Sequence, residues 1–365
     1  MEGSIKITQV TAKKVKAPLS KPFTISLGTI TASDIVFLRL DTDCGLVGYG
    51  EGVGIGFVTG ETSDTILGAI KLFEPLLVGR SPFAIEQIHS DMDKKMVGNG
   101  SAKAAVDIAL YDLMSKAAGL PLYRFLGGVS GSVETDMTIG INTPEVMAAE
   151  AAKRAAEGFR EIKVKAGTDP ATDMLAIRFI REAAPGVHLK VDANQGWTVA
   201  EALRVIREYE KYGVESVEQP VPYWDHAGLK EVRTRSNIPI MADESCFTPK
   251  DAFKLASSGA ADVLNIKLMK CGGLYRANQI CAIAEAAGIR CMLGCMLESK
   301  LSIAAAAAFV AARPNVIYAD LDSFHEFDDT GIINESFAYT TPVITLGEKP
   351  GIGVSPHDDC TAPCN

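Results

Sequence analysis

The stretch EIKVK, residues 161–165, is a short apolar and basic run whose last residue is Lys165. A strand and a helix with their loops take up about 25 residues, and similar runs recur at about this interval. Each of them also ends in a charged residue: HLKVD at 188–192, ESVE at 215–218, PIMAD at 239–243 and VLNIK at 263–267. Strands of a parallel barrel end at one face, where active sites form. The pattern therefore predicts that three carboxylates and two amines meet in one site.

The chain alternates strand and helix patterns from residue 131 onward. Strand patterns lie at 133–141, 161–165, 188–192, 215–218, 239–243, 263–267, 290–295 and 316–320. Helix patterns lie at 143–158, 171–184, 198–212, 226–236, 249–258, 273–287 and 300–312. An open, doubly wound sheet is the alternative, but the number of repeats and the charges at strand ends favour a (β/α)7β TIM-like barrel.

The first 130 residues differ from the rest, because strand patterns at 5–15 and 34–43 precede helix patterns at 65–77 and 102–118. Strands followed by helices are typical of an α+β unit. We therefore predict a capping domain at 1–130 and a barrel at 131–331, with residues 332–365 returning to the cap. The glycine-rich stretch 50–56 lacks the strand–turn–helix context of a nucleotide loop, and we expect it to form a mobile lid.

Composition limits the classes of partner. The chain has 365 residues, of which 47% are hydrophobic and 22% charged, and its net charge is −9. No basic stripe is present, which argues against a nucleic-acid or anionic-membrane partner. No apolar run reaches transmembrane length, and the start MEGSIKITQV lacks the apolar core of a signal peptide. We therefore expect a cytoplasmic enzyme without a membrane partner.

The eight cysteines form no CxxC pair, and the five histidines form no HxH or HxxxH pair. Zinc and thioredoxin-type chemistry therefore lack support, and buried free thiols are expected. Cys360 and Cys364 lie in a polar tail, where a disulfide is an open alternative.

Asp192, Glu218 and Asp243 end three consecutive strand patterns. A lone carboxylate inside a sheet is costly unless it is paired or bound to a metal. Each acid alone could cap a helix or pair with a lysine, but three on consecutive strands favour a shared metal. All-oxygen ligation suits Mg²⁺, or Mn²⁺, rather than zinc.

Lys163 and Lys165 are two residues apart, so they point to the same side of one strand. Adjacent cations and partial desolvation are expected to lower a lysine pKa toward the range of a general base. Lys267 lies four strands further, nearly opposite in a ring of eight. A salt bridge between Lys267 and one of the acids is the alternative.

Five motifs together resemble the enolase superfamily in its muconate-lactonizing subgroup: KVKAG (163–167), VDANQGW (191–197), EQP (218–220), ADES (242–245) and NIKLMKCGG (265–273). The resemblance covers the whole chain. It implies that Asp192, Glu218 and Asp243 bind Mg²⁺ and that Lys165 and Lys267 are the acid/base pair. It also implies that Asn194 and Glu244 orient the site.

A proton next to a carboxylate is very weakly acidic, and Mg²⁺ on that carboxylate would stabilise the ene-diolate left by its removal. Lysines on opposite faces can remove a proton from one side and return one on the other, which is a 1,1-proton transfer. Lys163 is expected to bind the substrate by adding positive field near its carboxylate, and to lower the pKa of Lys165.

The eighth strand pattern, VIYADLDS, carries Asp320 and Asp322 and resembles the DxD motif of dipeptide epimerases. Two carboxylates there suit the α-ammonium of a dipeptide. Muconate-type cycloisomerases, o-succinylbenzoate synthases and N-acylamino acid racemases are the alternatives within the resemblance. The further substrate contacts that it suggests are Thr138 and, in GCMLES, Cys295, Leu297 and Glu298.

Epimerases acting on Ala-Glu carry an arginine in an early loop, and the matching position in KPFTISLGT is Gly28. Phe23 and Ile25 nearby are apolar and are predicted to contact the substrate. Without a guanidinium, a buried substrate carboxylate would be unpaired. We therefore expect an apolar C-terminal residue rather than Glu. Members of this superfamily often form oligomers, so a homo-oligomer is also expected.

Overall fold

A computed structural model describes residues 5–327 and 331–361. Its first part is an antiparallel sheet in the order β1-β2-β3, with helices packed against it. The bounds are β1 Ile7–Ile25, β2 Gly28–Thr42, β3 Val47–Val53, α1 Ser63–Leu77, α2 Ile85–Lys95, α3 Gly100–Ala117 and α4 Leu122–Phe125. Helix α2 was missing from the prediction, since it buries only Ile88, His89 and Met92 of its residues.

Part of the glycine-rich stretch is not a loop, because Gly50 and Gly52 belong to strand β3. A Cβ atom at Gly50 would lie 1.9 Å from the backbone oxygen of Ala105 in α3. The glycines there let strand β3 approach helix α3 closely. The prediction of a mobile lid had not included this strand.

The second part is a parallel sheet that runs in chain order from β5 to β12. The strands, with β4 preceding them, are β4 Ser132–Glu134, β5 Met137–Ile139, β6 Glu161–Lys165, β7 His188–Asp192, β8 Val214–Glu218, β9 Ile240–Ala242, β10 Val263–Lys267, β11 Arg290–Gly294 and β12 Val316–Asp320. The Asp136 N–H donates to the Ala319 carbonyl at 3.0 Å, so the first strand segment meets the last. The sheet is thereby nearly closed into the predicted barrel.

Helices alternate with these strands: α5 Pro144–Glu157, α6 Pro170–Ala183, α7 Val199–Tyr209, α8 His226–Arg235, α9 Pro249–Ser258, α10 Leu268–Cys271, α11 Leu274–Ala286 and α12 Lys300–Ala312. The single-turn α10 is the one addition, among the described residues, to the predicted series. Thr198 caps α7 and Thr248 caps α9, each by a reciprocal hydrogen bond with the third helical residue. These caps fix where each chain segment leaves the site for the helix.

The predicted strand 133–141 is wrong as a single element. Thr135 N donates to the Pro342 carbonyl at 3.0 Å, whereas the next N–H, that of Asp136, binds the barrel strand β12. The backbone changes partner at this point, so β4 joins a small antiparallel sheet and β5 joins the barrel.

The C-terminal segment contains β13 Ile333–Glu335, β14 Ala338–Thr340, β15 Val343–Thr345 and β16 Ser355–Pro356. Leu122 N donates to the Gly351 carbonyl at 2.8 Å, and Ile352 N donates to Asp112 Oδ1 at 2.9 Å. This segment therefore packs on α3 and α4. Cys360 is a buried free thiol, whereas Cys364 lies outside the described residues. Cys44 is an exposed free thiol, contrary to the expected burial. No helix within the described ranges has the length and apolar content that crossing a membrane requires.

Alternation along the barrel strands positions the site. Ile162 and Val164 of β6 are buried in one apolar cluster with Ile177 and Ile180 of α6. Successive side chains of a strand point to opposite faces, so Lys163 and Lys165 point into the barrel.

Candidate active site

Three acids come together at the barrel mouth. Two of them end strands β7 and β8, and the third directly follows β9. Asp192, Glu218 and Asp243 are buried, and one carboxylate oxygen from each lies within 4.8 Å of the others. Three segments separated by about 25 residues thus converge, because parallel strands end at the same face.

One oxygen of each carboxylate is held by a donor of the surrounding chain. The three contacts are Asn194 N to Asp192 Oδ1 at 2.9 Å, Asn265 Nδ2 to Glu218 Oε1 at 2.7 Å, and Lys270 Nζ to Asp243 Oδ1 at 2.5 Å. Lys270 also donates to the backbone carbonyls of Asp243 and Asn265. These contacts fix the orientation of the acids.

The other oxygen of each carboxylate contacts a lysine ammonium. The three contacts are Lys165 Nζ to Asp192 Oδ2 at 2.7 Å, Lys163 Nζ to Glu218 Oε2 at 2.9 Å, and Lys267 Nζ to Asp243 Oδ2 at 2.8 Å. Three oxygens thus face one region in which positive charge is favoured. Buried, all-oxygen and anionic, this donor set fits a Mg²⁺-type cation.

The charges of this group shift one another's pKa. Burial raises the pKa of Asp192, but the ammonium groups of Lys165 and Lys163 outweigh burial and lower it below its ordinary value. Burial and the negative charge of Asp192 raise the pKa of Glu218 to about 7. Three carboxylates in one buried space therefore need more positive charge than one neighbour supplies.

The lowered lysine pKa expected for the adjacent lysines of KVK is wrong for Lys163. Burial lowers the pKa of Lys163, but the carboxylates of Asp320 and Glu218 outweigh burial and raise it well above its ordinary value. The pKa of Lys267 is raised in the same way, because the carboxylate of Asp243 outweighs burial. The expectation took neighbouring cations into account but not the surrounding acids.

The loops after β7 and β8 contain strained backbone. Asn194, Gln195 and Gln219 have φ values of +39°, +71° and +38°. Gln219 Oε1 accepts from the N–H groups of Asp243 and Ser245, so its side chain fixes the next strand end. Such strain persists only where surrounding contacts maintain it, as at active sites.

Asn194 and Glu244 were predicted to orient the site, and they contact each other. Asn194 Nδ2 donates to Glu244 Oε1 at 3.0 Å. Glu244 Oε2 has no hydrogen-bond partner among the described residues. Burial, with Asp243 nearby, raises the pKa of Glu244 to about 7.

Asp320 and Asp322 lie next to the lysines. Lys163 Nζ contacts Asp320 Oδ2 at 2.8 Å, and Thr138 donates its hydroxyl to Asp320 at 3.2 Å and its N–H to Asp322 at 2.6 Å. The Cys295 thiol lies 3.9 Å from Asp322 Oδ1. Burial and the Asp320 charge raise the pKa of Asp322 to about 7. Asp320 and Asp322 therefore suit a singly charged cation better than a second metal ion.

A cavity lies between the two lysines Lys165 and Lys267 and the acids Asp320 and Asp322. Its walls are Phe23, Thr138, Lys165, Lys267, Cys295, Met296, Leu297, Asp320, Asp322, Ser323 and Glu326. Phe23 comes from the β1–β2 hairpin, whose Ser26 hydroxyl donates to the Asn194 carbonyl at 2.8 Å. The capping part therefore covers the barrel mouth at this point.

Three residues predicted to contact the substrate, Lys163, Ile25 and Glu298, do not line this cavity. Ile25 is buried in the hairpin, and the Glu298 carboxylate accepts a short hydrogen bond from the Met296 N–H. Burial and the charge of Glu51 raise the pKa of Glu298 to about 8. Glu298 thus shapes the loop that presents Cys295 and Leu297.

Sequence reasoning missed several residues of this region. Asn265 is two residues before Lys267 on one strand, so the strand period of two could have identified it. Lys270 lies within a quoted motif but carries no periodic signal of its own. Met296 belongs to a loop, and Ser323 and Glu326 begin and follow a short 3-10 turn, where no pattern predicts which side chains enter a cavity.

Comparisons with known proteins agree with this geometry. Residues 7–127 match the family described as mandelate racemase / muconate lactonizing enzyme, N-terminal domain, and residues 146–360 match the enolase C-terminal domain-like family. A hydrophobic dipeptide epimerase from Enterococcus faecalis is 45% identical over 353 residues, which are 96% of this chain and 100% of that protein. An L-Ala-D/L-Glu epimerase from Bacillus subtilis is 43% identical and covers 96% of this chain and 97% of its own.

Solved structures show the same likeness. The dipeptide epimerase from Enterococcus faecalis, complexed with Mg and L-Leu-L-Tyr, superposes with a TM-score of 0.94 over 96% of this chain and 99% of that one, at 45% identity. The Cytophaga hutchinsonii dipeptide epimerase, complexed with Mg and D-Ala-L-Val, also gives 0.94, at 37% identity over 97% of each chain. The chain thus belongs to the mandelate racemase / muconate lactonizing enzyme family of the enolase superfamily.

Proposed function

We propose that this protein is a Mg²⁺-dependent dipeptide epimerase, an isomerase that inverts the α-carbon of the C-terminal residue. The carrying observation is that Lys165 and Lys267 contact different members of one carboxylate triad and line one cavity with Asp320 and Asp322. Relatives with this fold include dipeptide epimerases solved with Mg and a dipeptide bound.

Asp192, Glu218 and Asp243 would hold the metal. When bound, it would neutralise the negative charge that develops on the substrate carboxylate as the α-proton leaves. One of the two lysines, as a free amine, would take the α-proton at its Nζ. The other, as an ammonium, would return a proton from the opposite side.

Asp320 and Asp322 are proposed to bind the α-ammonium of the dipeptide. Two buried carboxylates near Thr138 would repel the succinyl group of a succinylated substrate, and a cycloisomerase substrate has no cation to pair with them. This pairing supports the epimerase over cycloisomerase, o-succinylbenzoate synthase or N-acylamino acid racemase activity.

We propose an apolar C-terminal residue. Position 28 is glycine, and a Cβ atom there would lie 3.2 Å from the Phe57 ring, so the hairpin offers aromatic rather than basic surface at this point. Leu297 lines both the site cavity and the groove that Phe57 borders. An apolar side chain directed there would bury without leaving a charge unpaired.

The cap and the barrel would have different roles. The cap, at 1–130 with 332–365, would select the substrate side chain through Phe23 and its neighbours. The barrel, at 131–331, would hold the metal and the lysines. A homo-oligomer and a cytoplasmic location remain predictions.

Incubation with an L,L-dipeptide library in D₂O with Mg²⁺ tests the function. Mass spectrometry should detect one added deuterium on peptides with an apolar C-terminal residue, and chelation by EDTA should abolish the exchange. Activity on Ala-Glu far above that on Ala-Phe or Ala-Leu would refute the predicted side-chain preference. No exchange in any dipeptide would refute the epimerase proposal itself.

A further inference from the structure

A second cavity adjoins the site beyond Asp322. It shares Phe23, Thr138 and Glu326 with the cavity that holds the two lysines. Its other walls are Lys21, Pro22, Thr24, Ile139, Gly140, Ile141, Asn142, Val146, Met147 and Glu150. A substrate held by its ammonium at Asp320 and Asp322 therefore has space for one more side chain in this direction.

Glu326 lies at the boundary of the two cavities, and its carboxylate forms no ion pair with any of the described residues. The residue is 5% exposed, and its Oε2 atom has no hydrogen-bond partner among the described residues. Burial raises its pKa, and the nearby Lys21 and Arg154 only partly oppose this. A buried carboxylate without a partner is costly when ionised, so the site favours a ligand that supplies positive charge.

The neighbouring cations, Lys21 and Arg154, are already paired with other acids. Lys21 Nζ contacts Glu150 Oε1 at 3.1 Å, and Arg154 contacts the same oxygen at 2.7 Å. Arg154 also pairs with Glu157 at 2.9 Å. The second acid of the cavity wall, Glu150, is thus neutralised, and Glu326 is not.

We propose that the second cavity binds the side chain of the substrate's N-terminal residue and that Glu326 selects a cationic one, lysine or arginine. The inference rests on the proposed epimerase function. Ile139 and Met147 give the cavity an apolar wall for the methylene stem of such a side chain, while its charged end pairs with Glu326. The preferred substrate is then a basic residue followed by an apolar one.

A pair of substrates that differ in the ε-ammonium of the N-terminal side chain tests the proposal: L-Lys-L-Phe and L-norleucyl-L-Phe. In the wild type, kcat/KM for α-deuterium exchange should favour the lysyl peptide by about tenfold, the effect of one partly solvated ion pair. Glu326→Gln should remove this preference mainly by raising KM for the lysyl peptide, and Glu326→Asp should restore part of it. Because both peptides are assayed on one sample, the ratio is independent of how much protein is folded.

Glu134→Gln is the control, since Glu134 is an acid paired with Arg160 at 3.3 Å on β4, away from both cavities. Its substrate ratio should equal that of the wild type, and an equal loss there would contradict a specific role for Glu326. Exchange on both peptides with no preference, unchanged in Glu326→Gln, would refute this inference and leave the epimerase intact. Exchange on neither peptide, nor on any other dipeptide, would refute the function.

Discussion

Two buried lysines on adjacent strands, Lys163 and Lys190, have opposite surroundings. They are register partners on β6 and β7, and they are 1% and 3% exposed. Lys163 contacts three carboxylates, those of Asp192, Glu218 and Asp320, at 2.8 to 3.2 Å.

The side chain of Lys190 instead contacts two acids near the N-terminal ends of the strands, Asp136 just before β5 and Glu161 at the start of β6. Its Nζ lies 2.6 Å from Asp136 and 2.9 Å from Glu161, and 4.7 Å from the centre of the Tyr318 ring. The cavity at this end is lined by Glu161 and Tyr318 but by neither Lys190 nor Asp136. Buried lysine–carboxylate pairing alone thus does not make a site. The Lys163 cluster has a third carboxylate, and its Asp320 lines the cavity that Lys165 and Lys267 share.

The largest expected effect is that of Lys267→Ala. Removing one of two bases should abolish epimerisation, with a loss of at least about 10³-fold in kcat, because one face of the α-carbon loses its proton carrier. Lys165 should still exchange the α-proton of one stereoisomer for deuterium. Chiral chromatography with deuterium counting measures both, and full epimerase activity would rule out the two-base scheme.

Lys270→Met should weaken Mg²⁺ activation by about 10- to 100-fold. The reason is that Asp243 Oδ1 loses the ammonium group that orients it. Titrating activity against Mg²⁺ concentration measures the change. Lys270→Arg should retain more of the affinity. Unchanged Mg²⁺ dependence in the methionine variant would show that Asp243 needs no such support.

The pH dependence of KM should follow the ionisation of Asp322. Its pKa is raised to about 7 by burial and by Asp320, so the ionised form needed for the substrate ammonium forms as pH rises through that value. KM should fall by about tenfold between about pH 6 and pH 8, until the dipeptide ammonium itself deprotonates near pH 8. Asp322→Asn should remove this limb; its persistence would assign the limb to another group.

The same raised pKa has the opposite effect on the fold. Because Asp322 binds its proton more tightly folded than unfolded, its contribution to stability is present at low pH and is lost as pH rises through about 7. In the absence of substrate, Asp322→Asn should therefore weaken this decline in a thermal melting series.

Lys190→Met should have the smallest effect on activity, within about threefold, since Lys190 lines no substrate cavity described above. Its effect on stability should be large, because Asp136 would remain buried without its partner, at a cost of about 3–5 kcal/mol. Urea unfolding with parallel kinetics separates the two. A large fall in kcat of the folded enzyme would remove the distinction between the two lysine clusters.

Much of the site was predictable from local pattern. The interval between strand ends placed Lys165, Asp192, Glu218, Asp243 and Lys267 on one face, because a parallel barrel aligns strand ends whatever their loops contain. The helix positions followed from the apolar spacing within each segment. The division of residues 133–141 into two strands was not predictable, since it depends on partners about 180 to 210 residues away.

The sequence by itself determined the fold class, the family and the charges at the strand ends, because these depend on short periodicities and on motifs within single segments. Tertiary structure alone decided which buried charge is compensated. It places Asp136 against Lys190, sets acids around Lys163 and Lys267 that raise their pKa, and leaves Glu326 Oε2 beside the site without a partner among the described residues. The physical reason is that electrostatic free energy depends on distance and burial between remote segments, which no local pattern encodes.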